Sequence, residues 1–176
     1  MIKNQQLDDF EIPCLTWGDE PPVNDTNTTE IAYDGFENLW SGGFGWSSGW
    51  YHEGDAKIVT SDGPYTDAHH LRLRRNNGYV DRVLDLSQYS SAALTLQVKV
   101  KSFERNDYAD LLVSSDGVNW NVLRTFTPAD SDNAYHEYSF DLTPYISLTT
   151  WIAIDAEMSG TGDYFYADEV RAESFL

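Results

Sequence analysis

One cysteine, Cys14, is present in 176 residues, so no internal disulfide can form and secretion is neither proved nor excluded. Lysine is almost as scarce, with Lys3, Lys57, Lys99 and Lys101 the whole set. Eleven Lys and Arg stand against 29 Asp and Glu, for a formal net charge of −18. No basic stripe meets a phosphate backbone or an anionic bilayer, which argues against nucleic acid and membrane surfaces as partners. Long apolar runs are missing as well, and nothing approaches the roughly 18 residues of a spanning helix, so no membrane insertion is expected. The opening "MIKNQQLDDFE" lacks the basic, apolar and small-residue order of a signal peptide. For an exported protein the expectation is a signal outside this sequence, with the chain an excised module.

Catalytic signatures are equally thin. The four histidines, His52, His69, His70 and His136, form no HExxH spacing, and no G-x-S-x-G elbow occurs. Carboxylates are numerous enough for glycosidase chemistry, but a sandwich of this size leaves little room for a catalytic cleft. The expectation is a protein that is not an enzyme.

What is abundant is aromatic side chains and period-two patterning. Aromatics make up 14%, with six Trp and eleven Tyr. "HHLRLRR" (69–75) alternates Leu71 and Leu73 with arginines, and "ALTLQVKVKS" (93–102) sets Leu94, Leu96, Val98 and Val100 on one side. "AYHEYSFDL" (134–142) places Tyr138, Phe140 and Leu142 together, and "TTWIAIDAEM" (149–158) buries either Trp151 or the pair Ile152 and Ile154. These read as half-buried antiparallel strands. Asn77-Gly78 and Asp116-Gly117 each predict a tight hairpin, the second returning Trp120 to the core. Strands are expected near 33–37, 56–60, 69–75, 79–86, 92–102, 107–114, 119–126, 134–142, 149–158 and 164–174. That spacing predicts an all-β chain folded as a two-sheet antiparallel β-sandwich of jelly-roll type, with few or no helices.

The domain is read as 33–176, with 1–32 an N-terminal extension. "WGDEPPVNDTNTTE" has linker composition and carries two N-x-T sequons, at Asn24 and Asn27. "LDDFEI" (7–12) echoes "ADEVRA" (167–172), as the last strand of a preceding copy would, as an extra strand of this domain would, or as an acidic chain repeating itself.

Three groups of residues carry chemistry. "YDGFE" (33–37) and "GDYFYADEV" (162–170) put acids into aromatic strands at the two ends of the body. In a jelly roll the first and last strands commonly lie side by side, so Glu37 and Asp168 would converge. Asp55 and Asp34 are further oxygen donors. Buried carboxylates repel one another unless a cation joins them, and Ca²⁺ accepts six to eight oxygens. The expected cofactor is a structural calcium; the plain alternative is solvated edge charge that discourages strand pairing. "LWSGGFGWSSGWYHEGD" (39–55) supplies Trp46, Trp50 and Tyr51 among glycines, either as a stacking platform for a sugar or as a lid over the end of the sandwich. Arg72, Arg74 and Tyr108 form a possible polar sheet face for hydroxyl-rich ligands, or cross-strand ion pairs on a solvated one.

Together "YDGFE", the Gly/Trp run, "HHLRLR", "SSDGVNW", "HEYSFDLTPY" and "GDYFYADEV" resemble the accessory jelly-roll modules of secreted proteins, MAM-like and carbohydrate-binding-module-like domains. The resemblance spans 33–176. It implies a structural calcium at Glu37 and Asp168, less firmly at Asp55. The family pattern in the last strand is "DD" or "DN", where this chain has Asp168-Glu169. The function it implies is a secreted or cell-surface module binding a glycan or a cell-surface or matrix component, beside neighbouring domains of the same polypeptide. The rival is a structural or adhesive spacer without a sugar site.

Overall fold

The computed structural model describes residues 28–75 and 77–175. Cys14, the 7–12 echo, Asn24 and Asn27 lie outside the described residues. The strands are β1 (Thr28–Asp34), β2 (Tyr51–Glu53), β3 (Ala56–Val59), β4 (His70–Leu73), β5 (Gly78–Leu84), β6 (Ala93–Lys101), β7 (Tyr108–Ser114), β8 (Asn121–Phe126), β9 (Tyr135–Asp141), β10 (Thr150–Glu157) and β11 (Tyr164–Phe175). One sheet runs β3-β4-β11-β6-β9, with β1 also on β11; the other runs β2-β5-β10-β7-β8. Every pairing is antiparallel. This is the two-sheet sandwich that the alternation predicts.

The core lies between the sheets. Leu71, Leu73, Leu94, Leu96, Val98 and Val100 face Val80, Leu111, Val113, Ile152 and Ile154, all 2% exposed or less. The ambiguity in β10 resolves in favour of the isoleucines, and Trp151 turns outward, half-buried. Trp120 is also half-buried and stands outside the core cluster, so it does not return to the core as expected.

Asp116-Gly117 closes the β7–β8 hairpin, with Gly117 at φ 73° and the Asp116 carboxylate accepting from the N–H groups of Val118 and Asn119. Asn77-Gly78 does not close a hairpin. It carries the chain from β4 in one sheet to β5 in the other, because Leu71/Leu73 and Val80/Leu84 pack face to face rather than side by side. A turn dipeptide fixes a local reversal, not which neighbour the next strand finds.

β1 starts at Thr28, inside the stretch read as linker, and pairs with β11 from Thr28↔Phe175 to Asp34↔Val170. β4 occupies the same edge of β11 further up, at Phe165–Ala167. The handover between the two falls on Asp168-Glu169. There β11 also bulges against β6, three steps from Asp168 to Arg171 spanning two from Gln97 to Thr95. One residue is extra, so the inward positions change from Phe165 and Ala167 to Val170 and Ala172. Glu169 takes φ 52°, a left-handed conformation that bulky residues avoid. The acids in this aromatic strand sit where the ladder is broken and peptide groups need other partners.

Candidate functional site

Asp168 has no solvent exposure. Its Oδ2 accepts from the N–H groups of Tyr65 (2.9 Å) and Thr66 (3.3 Å), and its Oδ1 from the N–H of Glu169 (2.8 Å). Burial nevertheless pushes its pKa up to about 6, against the pull of those donors. Glu169 accepts from Tyr33 Oη (2.6 Å), Thr66 Oγ1 (2.5 Å) and Arg171 (2.8 Å). Glu37 accepts from the N–H groups of Ala68 (3.0 Å) and His69 (2.7 Å), and faces His69 Nδ1 at 3.0 Å. Glu37 and Asp168 therefore hold the two ends of one segment, Tyr65–His69, in the loop between β3 and β4. The first and last strands meet as expected. Peptide N–H groups of this loop supply two bonds each to Asp168 and Glu37, and the side chains of Thr66 and His69 add contacts to Glu169 and Glu37.

The other two expected calcium ligands are engaged by arginine. Asp34, 1% exposed, pairs with Arg82, 3% exposed, and also accepts from Phe36 N (2.8 Å) and Trp50 Nε1 (3.0 Å). Arg82 donates further to the carbonyls of Ser48 (2.8 Å) and Gly42 (2.7 Å) and lies over the rings of Trp46 and Trp50. Asp55 faces Arg74 at 2.8 Å, Arg72 at 3.5 Å and Arg75 at 3.7 Å. Among the described residues no three His, Cys, Asp or Glu side chains come together as a metal cage. Both of these carboxylates face guanidinium groups, from β5 in one case and from β4 and the residues after it in the other.

This pairing also explains the Gly/Trp run. Segment 43–45 lies against β1, with Phe44 and Tyr33 exchanging backbone hydrogen bonds of 3.0 and 3.1 Å. A Cβ on Gly45 would stand 2.0 Å from the Ile31 carbonyl, and φ there is 77°, so no side chain fits. Trp50 is 4% exposed, stacks on Phe36 at 5.7 Å and belongs to the core. Trp46 is half-buried and packs against that core. The lid reading holds for both, and neither is a free stacking platform. Beside them Tyr33, Glu37, Asn38, Phe44 and Asp67 line a cleft of about 430 Å³.

Arg72 and Arg74 lie in and just after β4, in the first sheet, while Tyr108 begins β7 in the second. They form no common face. Tyr108 and Tyr51 do share one, the outer side of β2-β5-β10-β7-β8. Directly paired residues point the same way, so two rows cross this sheet. One reads Glu53, Tyr79, Asp155, Asp110, Thr125; the next reads Tyr51, Asp81, Ala153, Leu112, Val122. Glu157 and Tyr108 flank the first row, and Trp151 flanks the second. Tyr51 is half exposed, with its ring 6.4 Å from that of Tyr79 and its hydroxyl on Glu53. Burial raises the pKa of Asp155, helped by Glu157 and Asp110; burial also raises that of Asp81, helped by Glu53. Sequence reasoning found only the ends of this surface. Alternation in "TTWIAIDAEM" and "YADLLVS" marks Trp151, Asp155, Asp110 and Leu112 as outward; their neighbours across the sheet are set by strand order.

No protein-family model and no curated protein matches this chain. Among solved structures, the xylan-binding domain CBM22-1 of Paenibacillus barcinonensis Xyn10C superposes with TM-score 0.56 at 12% identity, over 84% of this chain and 95% of that one. A family 61 carbohydrate-binding module, solved in complex with β-1,4-galactotriose, gives 0.57 at 14% identity over 78% and 92%. The K1 cleaved adhesin domain of Lys-gingipain from Porphyromonas gingivalis W83 gives 0.58 at 18% identity over 85% and 99%. This chain has their jelly-roll fold. At such identity the likeness is one of fold, and the side chains on the outer face are this protein's own. Among the described residues no helix is long and apolar enough to cross a membrane.

Proposed function

We propose that the protein is a non-catalytic, extracellular carbohydrate-binding module steadied by calcium. The observation that carries the sugar part is the outer face of β2-β5-β10-β7-β8. Tyrosine rings and carboxylates alternate there across paired strands. Rings stack on the apolar faces of pyranoses, and carboxylates accept from their hydroxyls. Fold neighbours that are xylan-binding or were solved with galactotriose support the same reading. The partner is then a glycan, or a cell-surface or matrix component bearing one, with adjoining domains of the same polypeptide beside it.

Calorimetric titration against a panel of soluble oligosaccharides tests this. Tyr51→Ala and Tyr108→Ala should each weaken binding about fivefold to tenfold, from ~1–1.4 kcal/mol per stacked ring. Phe44→Ala, in the cleft at the other end of the Gly/Trp run, should leave it unchanged. Binding lost with Phe44→Ala and kept in both tyrosine variants moves the site to that cleft. The adhesin-domain likeness favours a second reading, an adhesive module without a sugar site; it stands if no oligosaccharide binds.

The calcium part rests on Asp168, a fully buried carboxylate whose partners are peptide N–H groups, with Glu37 on the same loop. These donors fit calcium in kind, as hard oxygen ligands, and fall short in number. Bound to the native state alone, the ion would stabilise by mass action, about 2.7 kcal/mol at a hundredfold excess over Kd. That corresponds to about 5–10 °C in melting temperature for a domain of this size. Calcium should raise the melting temperature over chelator in the parent protein and not in Asp168→Asn. Equal melting with and without chelator removes calcium from the proposal.

A further inference from the structure

Most of the strand-borne cations of this protein lie in one sheet. Lys57, Lys99, Lys101, Arg72 and Arg171 all lie in strands of the first sheet. In the second, Arg82 is buried against Asp34 and Arg124 is paired with Asp130. The two rows crossing the outer face hold no Lys or Arg, yet they hold Glu53, Asp81, Asp110 and Asp155, with Glu157 beside them. Asp110 and Asp155 are direct cross-strand partners. Like charges so placed cost stability, and the partners the rows supply are neutral hydroxyls, Thr125 on Asp110 and Tyr51 on Glu53, with no cation among them. A purely structural face would be cheaper with Thr or Lys at either position.

We infer that this face binds a glycan carrying free amino groups, a chain of 2-amino-2-deoxy sugars. Its ammonium groups meet Asp155, Asp110, Asp81 and Glu53, and its sugar planes rest on Tyr51 and Tyr108. The inference rests on the carbohydrate-binding reading of the same face and adds the class of sugar. Electrostatic complementarity is the reason. Uronic-acid and sulfated chains are repelled by four carboxylates within a few strand widths, each width about 4.8 Å. A neutral chain gives the acids hydroxyl donors and leaves Asp110 facing Asp155. An ammonium between them satisfies both, in a setting dry enough that burial already lifts the pKa of Asp155 and Asp81.

The test is calorimetric binding of a glucosamine hexasaccharide, its N-acetylated counterpart and an oligogalacturonate, in about 0.15 M salt to screen the general negative charge. The amino form should bind at least about tenfold tighter than the acetylated one, and the uronate should not bind. Asp81→Asn/Asp155→Asn should erase that preference while melting at or above the parent temperature. Glu30→Gln/Glu137→Gln removes the same charge from exposed positions on the other sheet and should preserve the preference. Equal binding of the amino and acetylated forms overturns the inference and leaves the carbohydrate-binding reading standing. Equal losses in the two double variants overturn it too, since bulk charge alone would then be at work. If no oligosaccharide of any kind binds, both readings fall together.

Discussion

Arg82→Met should destabilise the protein by about 3–5 kcal/mol, the cost of leaving a buried carboxylate without its counter-charge. In melting temperature that is about 10–15 °C for a domain of this size. Asp34 is 1% exposed and has no water to turn to. The loss is wider than one ion pair. Arg82 also binds the Ser48 and Gly42 carbonyls, and Asp34 also binds Trp50 and the peptide N–H of Phe36. The whole run from Gly42 to Trp50 is thereby tied to β1 and β5. Limited proteolysis of Arg82→Met should cut first within that run. Asp34→Asn/Arg82→Met should recover a large part of the loss, because no charge then remains buried, while an amide oxygen still accepts from Trp50 or Phe36. A loss below about 1 kcal/mol in Arg82→Met, typical of exposed pairs, would show that the pair does not anchor the loop.

Two buried groups should oppose each other as pH falls, and single substitutions should expose each. His70 is fully buried, stacked on Tyr166 at 4.6 Å. Its neutral ring is satisfied on both sides: Nε2 donates to the Ser61 carbonyl at 2.8 Å, and Nδ1 accepts from the Tyr135 hydroxyl. Burial holds its pKa down to about 4. A base with a depressed native pKa stabilises fully above its unfolded value near 6.5, and that stability is lost as pH falls through 4. Asp168 runs the other way. Its native pKa near 6 lies above the unfolded value near 3.9, so its contribution is present in acid and lost as pH rises through 6. Each amounts to about 3 kcal/mol, at 1.36 kcal/mol per pH unit. In chelator, denaturant midpoints of the parent should change little from pH 6.5 to pH 4. His70→Gln should become more stable on acidification, and Asp168→Asn steeply less stable. Parallel pH profiles in all three proteins would mean that neither group is buried as described.

What local pattern could reveal about the site stops at the single strand. The alternation in 93–102 placed Leu94, Leu96, Val98 and Val100 inward, because a side-chain period of two needs no knowledge of the partner. It equally marks Asp110 and Asp155 as outward. That the two stand opposite each other, with Tyr79 and Glu53 continuing the row, depends on β7, β10, β5 and β2 being neighbours. Strands 108–114 and 150–157 are far apart in sequence, and nothing local names the pairing. The same gap hid the neighbours of Asp34 and Asp55. Their acidity was legible, but not that β5 delivers Arg82 to one and that β4 and the residue after it deliver Arg72 and Arg74 to the other. For Trp50 the local pattern left a platform and a lid both open, and the fold decides for the lid, because the glycines allow the chain to lie on the backbone of β1 and press the indole into the core.

By itself the sequence determined the all-β class and the place of most strands, though not β2 or the start of β1 at Thr28. Residue alternation and turn chemistry are written along the chain and act at short range. Tertiary structure alone decided the handover at Asp168-Glu169, the arginine partners of Asp34 and Asp55, and the acidic aromatic face. Each depends on which distant strands pair, a choice made by burial of the two inner faces against each other and by no single stretch of residues.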